Sequence, residues 1–147
     1  MENDTQKLLA DLNQAVIQFR GLYSAWSKKH GISYNEMLVL YTIRDNGFCT
    51  QKQICDSYLL PRQTMNHVIT DMRKRGLLTI RPEYSSGREK AFVLTREGQT
   101  YAAPLLNSLN QIEAQAIESA GCETIRSMTG TLMAFDSILK QAMDENA

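Results

Sequence analysis

The stretch "PRQTMNHVITDMRKRGLL", residues 61–78, decides the fold. At the helical period of about 3.6 residues, Met65, Val68, Ile69 and Met72 share one side. Arg62, Gln63, Asn66, His67, Thr70 and Arg73 share the other. Pro61 suits the first position of such a helix, where a missing N–H donor is harmless and a fixed φ is already helical. Gly76, preceded by Arg73, Lys74 and Arg75, suits a left-handed stop with cations at the negative helix end. The apolar side calls for a core. A polar helix face is ordinarily just solvated, but this one is rich in Arg, Gln and Asn, whose side chains can bond two atoms of a base edge at once.

The elements around this helix give its polar face a context. Before it, Thr50 caps a short helix carrying Ile54, Cys55 and Tyr58, which "LLP" at residues 59–61 breaks. Earlier still, Ser33 and Glu36 form a capping-box pattern for a helix carrying Met37, Leu38, Leu40, Tyr41 and Ile43 to about Asn46, with Gly47 as its stop. After Leu77 the period changes to two: "LLTIRP" and "KAFVLT" read as strands joined by "EYSSGRE", a hairpin with Arg88 near its tip. Helix, turn, helix and hairpin match a winged helix-turn-helix, in which the second helix reads the major groove and the hairpin reaches a minor groove or phosphates.

Long helices flank this unit. Residues 5–30 place Leu8, Leu9, Leu12, Val16, Phe19, Leu22, Tyr23 and Trp26 at three- and four-residue spacings. Thr95 caps a helix running to about Ala120, which Pro104 should bend, and a last helix from Glu123 carries Ile125, Met128, Leu132, Met133, Phe135, Ile138 and Leu139. The expected fold is mainly α with a small β-hairpin wing (α+β). It comprises one domain over 1–147, with a DNA-binding lobe at about 33–95 and dimerisation helices at about 5–30 and 96–145.

Charge follows the same division. The whole chain has 16 basic and 16 acidic residues, but residues 50–96 hold nine basic groups against four acidic ones. A neutral protein with a basic middle can still meet a polyanion there, because local potential steers association. Hydrophobic content of 43% is that of a globular chain. No apolar run approaches the roughly 20 residues of a membrane span, and "MENDTQKLLADLNQ" lacks a signal peptide's basic start and apolar block. A cytoplasmic protein with no membrane partner is expected. Cys49, Cys55 and Cys122, odd in number and scattered, suggest reduced thiols rather than a disulfide framework.

The sequence resembles the MarR family of bacterial transcription regulators, over nearly the whole chain. "LPRQTMNHVITDMRKRGLL" is similar to the family's recognition helix and its Lys/Arg-x-Gly-Leu ending; "SSGREKAFVLTREG" is similar to its wing followed by Leu-Thr-x-x-Gly. The flanking helices resemble its dimerisation element. One position departs: the family often has Asp two residues before the wing arginine, where this chain has Ser86, so the rigidity of the wing is in question while Arg88 remains. The resemblance implies a homodimeric repressor of a double-stranded, pseudo-palindromic operator. Arg62, Gln63, Asn66 and His67 would read bases. Thr64 and Thr70 would make backbone or base contacts, and Lys52, Arg73, Lys74 and Arg88 would meet phosphates or the minor groove. The apolar terminal helices independently call for a partner copy.

Relatives in this family commonly bind anionic aromatic compounds between the dimer arms and the DNA-binding lobe. Phe19, Tyr23, Trp26, Tyr34 and Tyr41 are candidates to line such a site for a small-molecule effector, with Arg20 and His30 as polar contacts, although aromatic residues at this helical spacing are more often simply core packing. Two other readings stay open: a winged-helix protein-interaction module without sequence-specific DNA binding, and a thiol-based redox regulator. The first should show a neutral or acidic recognition face. The second lacks the cysteine that peroxide-responsive relatives carry early in the first helix. No nucleophile–base pair, phosphate loop or metal-ligand set suggests an enzyme, and no cofactor or metal is expected.

Overall fold

A computed structural model describes all 147 residues. They form two compact units, residues 1–106 and 107–147. The first contains α1 (Glu2–Lys29), α2 (Tyr34–Asn46), β1 (Cys49–Thr50), α3 (Gln51–Tyr58), α4 (Arg62–Lys74), β2 (Leu78–Ile80), a 3₁₀ turn (Pro82–Tyr84), β3 (Ala91–Leu94) and the start of α5 (Arg96–Ala120). The second holds the rest of α5 and α6 (Cys122–Glu145). The structure is thus mainly α with a small antiparallel sheet. No helix is long and apolar enough to cross a membrane.

Local chemistry sets most boundaries. The Ser33 hydroxyl accepts from the Glu36 backbone N–H at 3.0 Å, and Gly47 closes α2 at φ 84°. Thr50 and Gln53 form a full capping box on α3. Thr95 accepts from the Gly98 N–H at 2.9 Å, capping α5. Gly76 follows α4 at φ 78°, the left-handed stop its sequence predicted.

Several expectations need correction. α1 begins at Glu2 and α6 at Cys122. Pro61 is the cap of α4 rather than its first helical residue: its ψ of 142° is extended while its carbonyl already accepts the first helical bond, from Met65 N–H at 3.3 Å. The sheet has three strands, in the order β1-β3-β2, because Cys49 and Thr50 pair with Phe92 and Ala91. Two residues are too few to show a period, so β1 left no trace in the sequence. Pro104 sits inside α5 without ending it.

The core of the first unit lies between α2, α3, α4, the sheet and α5. Val39, Leu40, Ile54, Met65, Ile69, Met72 and Ala102 are essentially sealed from solvent. The apolar stripe of α4 behaves as its period predicts: Met65, Ile69 and Met72 are buried and Val68 is half-buried. That burial turns the opposite face of α4 outward.

Candidate nucleic-acid interface and ligand cavity

The outward face of α4 carries Arg62, Gln63, Asn66, His67, Thr70, Arg73 and Lys74, all exposed, while Thr64 is half-buried. Beside it stands the hairpin tip. Ser86 and Glu89 exchange both backbone hydrogen bonds, at 3.0 and 2.9 Å, around Gly87 and Arg88. Gly87 takes a positive φ of 56° and Arg88 does not, as in a type II′ hairpin turn. The arrangement leaves Arg88 exposed at the extreme of the wing.

Two candidate base readers have partners outside their own helix. Arg62 Nη1 lies 2.7 Å from the Glu89 carboxylate on the wing, and Gln51 Nε2 donates to Asn66 Oδ1 at 3.1 Å. Lys52 is exposed and pairs with Asp56 at 2.6 Å, one turn along α3; this bond is the main cause that raises its pKa. The Arg73 guanidinium lies 5.7 Å from the centre of the Phe92 ring. The face is basic and rich in amides, with Glu89 its unexpected acid.

A separate cavity of about 240 Å³ is lined by Phe19, Arg20, Tyr23, Met37, Leu38, Tyr41 and Tyr58. Four of these are among the expected ligand contacts. The other three expected contacts do not line it: Trp26 stacks on His30 at 4.3 Å, and Tyr34 is hydrogen-bonded to Arg20. The Arg20 guanidinium lies 5.5–5.7 Å from the ring centres of Tyr23, Tyr34 and Tyr58. Sequence reading missed Met37, Leu38 and Tyr58 as lining residues. Tyr58 lies on α3, whose approach to α1 no local pattern reveals.

Burial pushes the Cys49 thiol up to about 12 and raises the Cys55 thiol as well, so both stay protonated and poorly nucleophilic near neutrality. Cys122 is exposed.

Residues 30–89, which hold α2, α3, α4 and most of the wing, match the model of the MarR family. Over these residues the chain is similar to the MarR family of transcriptional regulators. The structure of NMB1585, a MarR-family regulator from Neisseria meningitidis, superposes with a TM-score of 0.84 at 26% identity, covering 95% of this chain and 99% of that one. NadR in complex with 4-hydroxyphenylacetate gives a TM-score of 0.68 at 16% identity over 86% of this chain and 89% of that one. Staphylococcus aureus MarR in complex with salicylate and kanamycin gives 0.65 at 15% identity over 93% of each chain. No curated protein matches in sequence. The matched family and NMB1585 are regulators rather than enzymes.

Proposed function

We propose that this chain is a homodimeric repressor of the MarR family that reads a pseudo-palindromic operator and lets go when a single-ring aromatic acid binds. The observation that carries this reading is the outward face of α4, where Arg, Gln, Asn and His side chains stand beside an exposed wing arginine. Arg62, Gln63, Asn66 and His67 face the bases. Thr64 and Thr70 assist, and Lys52, Arg73, Lys74 and Arg88 meet the phosphates. Dimerisation is supported by apolar side chains left in water: Leu8 and Leu22 on α1 are 68% and 69% exposed, and Met133 and Ile138 on α6 are each 64% exposed. A second copy is the simplest cover, and two copies would present two recognition helices.

The effector reading rests on the cavity beside Arg20. Its volume of about 240 Å³ exceeds the roughly 150 Å³ of a cavity that admits benzene. Arg20 supplies a cation for a carboxylate, and the tyrosines supply ring faces and hydroxyls. The ring acids bound by NadR and by the staphylococcal MarR have this chemistry.

Binding to duplexes selected from a random library, followed by fluorescence anisotropy across a salt series, tests the reading. A selected duplex should bind about a thousandfold tighter than a scrambled one. Arg88→Ala should lower the salt slope by about one. Salicylate or 4-hydroxyphenylacetate should weaken binding in the wild type and have less effect in Arg20→Ala. Equal, weak binding to every duplex would overturn the DNA reading. A monomer by light scattering would overturn the dimer.

A further inference from the structure

Glu89 places a negative charge where a DNA-binding surface should avoid one. Its position is tightly specified. Backbone bonds to Ser86 fix it at the base of the wing turn. One side-chain oxygen lies 2.7 Å from Arg62 Nη1 and the other accepts from the Lys52 backbone N–H at 3.4 Å. One carboxylate therefore links the wing to the first turns of both α3 and α4. The acid that the wing lacks at Ser86 is present three residues later, directed at the first residue of the recognition helix.

Stability does not account for this arrangement. The Arg62 side chain is 56% exposed and that of Glu89 27%, and ion pairs so open to water contribute little. Nor does affinity, since a carboxylate repels phosphates. What the pair does supply is orientation. A guanidinium offers five N–H donors in a rigid fork. With one nitrogen engaged by Glu89, the remaining donors point in a limited set of directions instead of sweeping to the nearest phosphate.

We propose that Glu89 is a specificity-determining positioning residue, which holds the Arg62 guanidinium for base reading and lowers general affinity for DNA. The inference rests on the reading of α4 as the base-reading helix. Without the carboxylate, Arg62 is free to add a phosphate contact, so binding becomes tighter, more salt-dependent and less selective.

The test uses the full-length protein, a duplex selected by the wild type from a random library, and every single-base-pair variant of that duplex. Wild type, Glu89→Gln, Arg62→Ala and the double variant are compared. Glu89→Gln should bind scrambled duplex several-fold tighter with a salt slope steeper by about one. It should also lose about tenfold in discrimination at one base pair. That base pair should be the one at which Arg62→Ala loses discrimination, and the double variant should lose no more there than Arg62→Ala alone. A merely structural role would instead weaken binding to all duplexes alike and lower the melting temperature. That result overturns the proposal, as does full discrimination in Glu89→Gln while Arg62→Ala loses it; in both cases α4 as the reading helix survives. If no duplex is selected, or if Arg62→Ala keeps full discrimination, base reading by Arg62 fails and the proposal falls with it.

Discussion

Arg75 Nη1 lies 3.1 Å from Glu36 Oε2, joining the end of α4 to the start of α2 across 39 residues of sequence. The contact is one side of a closed triangle. Arg75 Nη2 donates to the Tyr101 hydroxyl at 3.1 Å, and that hydroxyl donates to Glu36 Oε1 at 2.7 Å. Asp71 adds a second carboxylate 3.1 Å from Arg75. The Glu36 bond is the main cause that holds the Arg75 pKa above its ordinary value, so the guanidinium is permanently charged. The C-terminal end of α4 is thereby tied to both α2 and α5.

Removing the cation should be the most costly change in this triangle. Arg75→Met leaves the Glu36 side chain, only 9% exposed, without its charge partner. The expected loss is about 2 kcal/mol, below the range for a fully buried pair because Arg75 is partly solvated. Tyr101→Phe should cost about 1 kcal/mol, one hydrogen-bond partner being lost at each end. Urea unfolding of the two variants checks the order.

Gly98 should tolerate no side chain. A Cβ there would lie 2.1 Å from the Leu77 carbonyl oxygen. That close approach exists because Thr95 N–H donates to Leu77 O at 3.0 Å and the Thr95 hydroxyl donates to Gly76 O at 2.5 Å. Gly98→Ala must push α5 away from these bonds, at a cost of about 1–3 kcal/mol. Alanine ordinarily strengthens a helix, so a stabilised variant would refute this account.

Leu59 offers a change in the opposite direction. It ends α3 in the left-handed region, at φ 53° and ψ 47°, with 88% of its surface exposed. The conformation costs an L-residue roughly 1–2 kcal/mol, while the side chain contributes little burial in return. Leu59→Gly should raise stability by about 0.5–1 kcal/mol after the entropy of an added glycine is counted. Thermal melting at unchanged DNA affinity is the measurement.

The thiols should differ sharply in reactivity. Cys122 should react readily with a thiol reagent in the native protein, whereas Cys49 and Cys55 should react only on unfolding. Because burial pushes the Cys49 thiol from 9.0 up to about 12, folding favours its protonated form. Its contribution is present in full below pH 9 and is lost as pH rises from there toward 12. Denaturation at increasing alkaline pH should therefore show a steeper loss of stability in the wild type than in Cys49→Ala.

The sequence by itself determined the elements and their outward chemistry. The period of residues 62–74 separated the buried Met65, Ile69 and Met72 from the polar face, and Ser33, Thr50, Thr95, Gly47 and Gly76 marked helix ends. These signals are local: a cap or a stripe is written within one or two turns of chain. Only the tertiary structure decided which distant side chains meet. Glu89 engages Arg62, and Tyr101 reaches Glu36 across 65 residues. Tyr58 joins Phe19 at a cavity, and Cys49 pairs with Phe92 in a strand two residues long. Nothing within a turn of any of these residues encodes its partner, because the contacts arise from packing α4 and the sheet onto one core. The sequence thus made the exposed polar face of α4 legible, while the carboxylate that pairs with Arg62 became visible only in three dimensions.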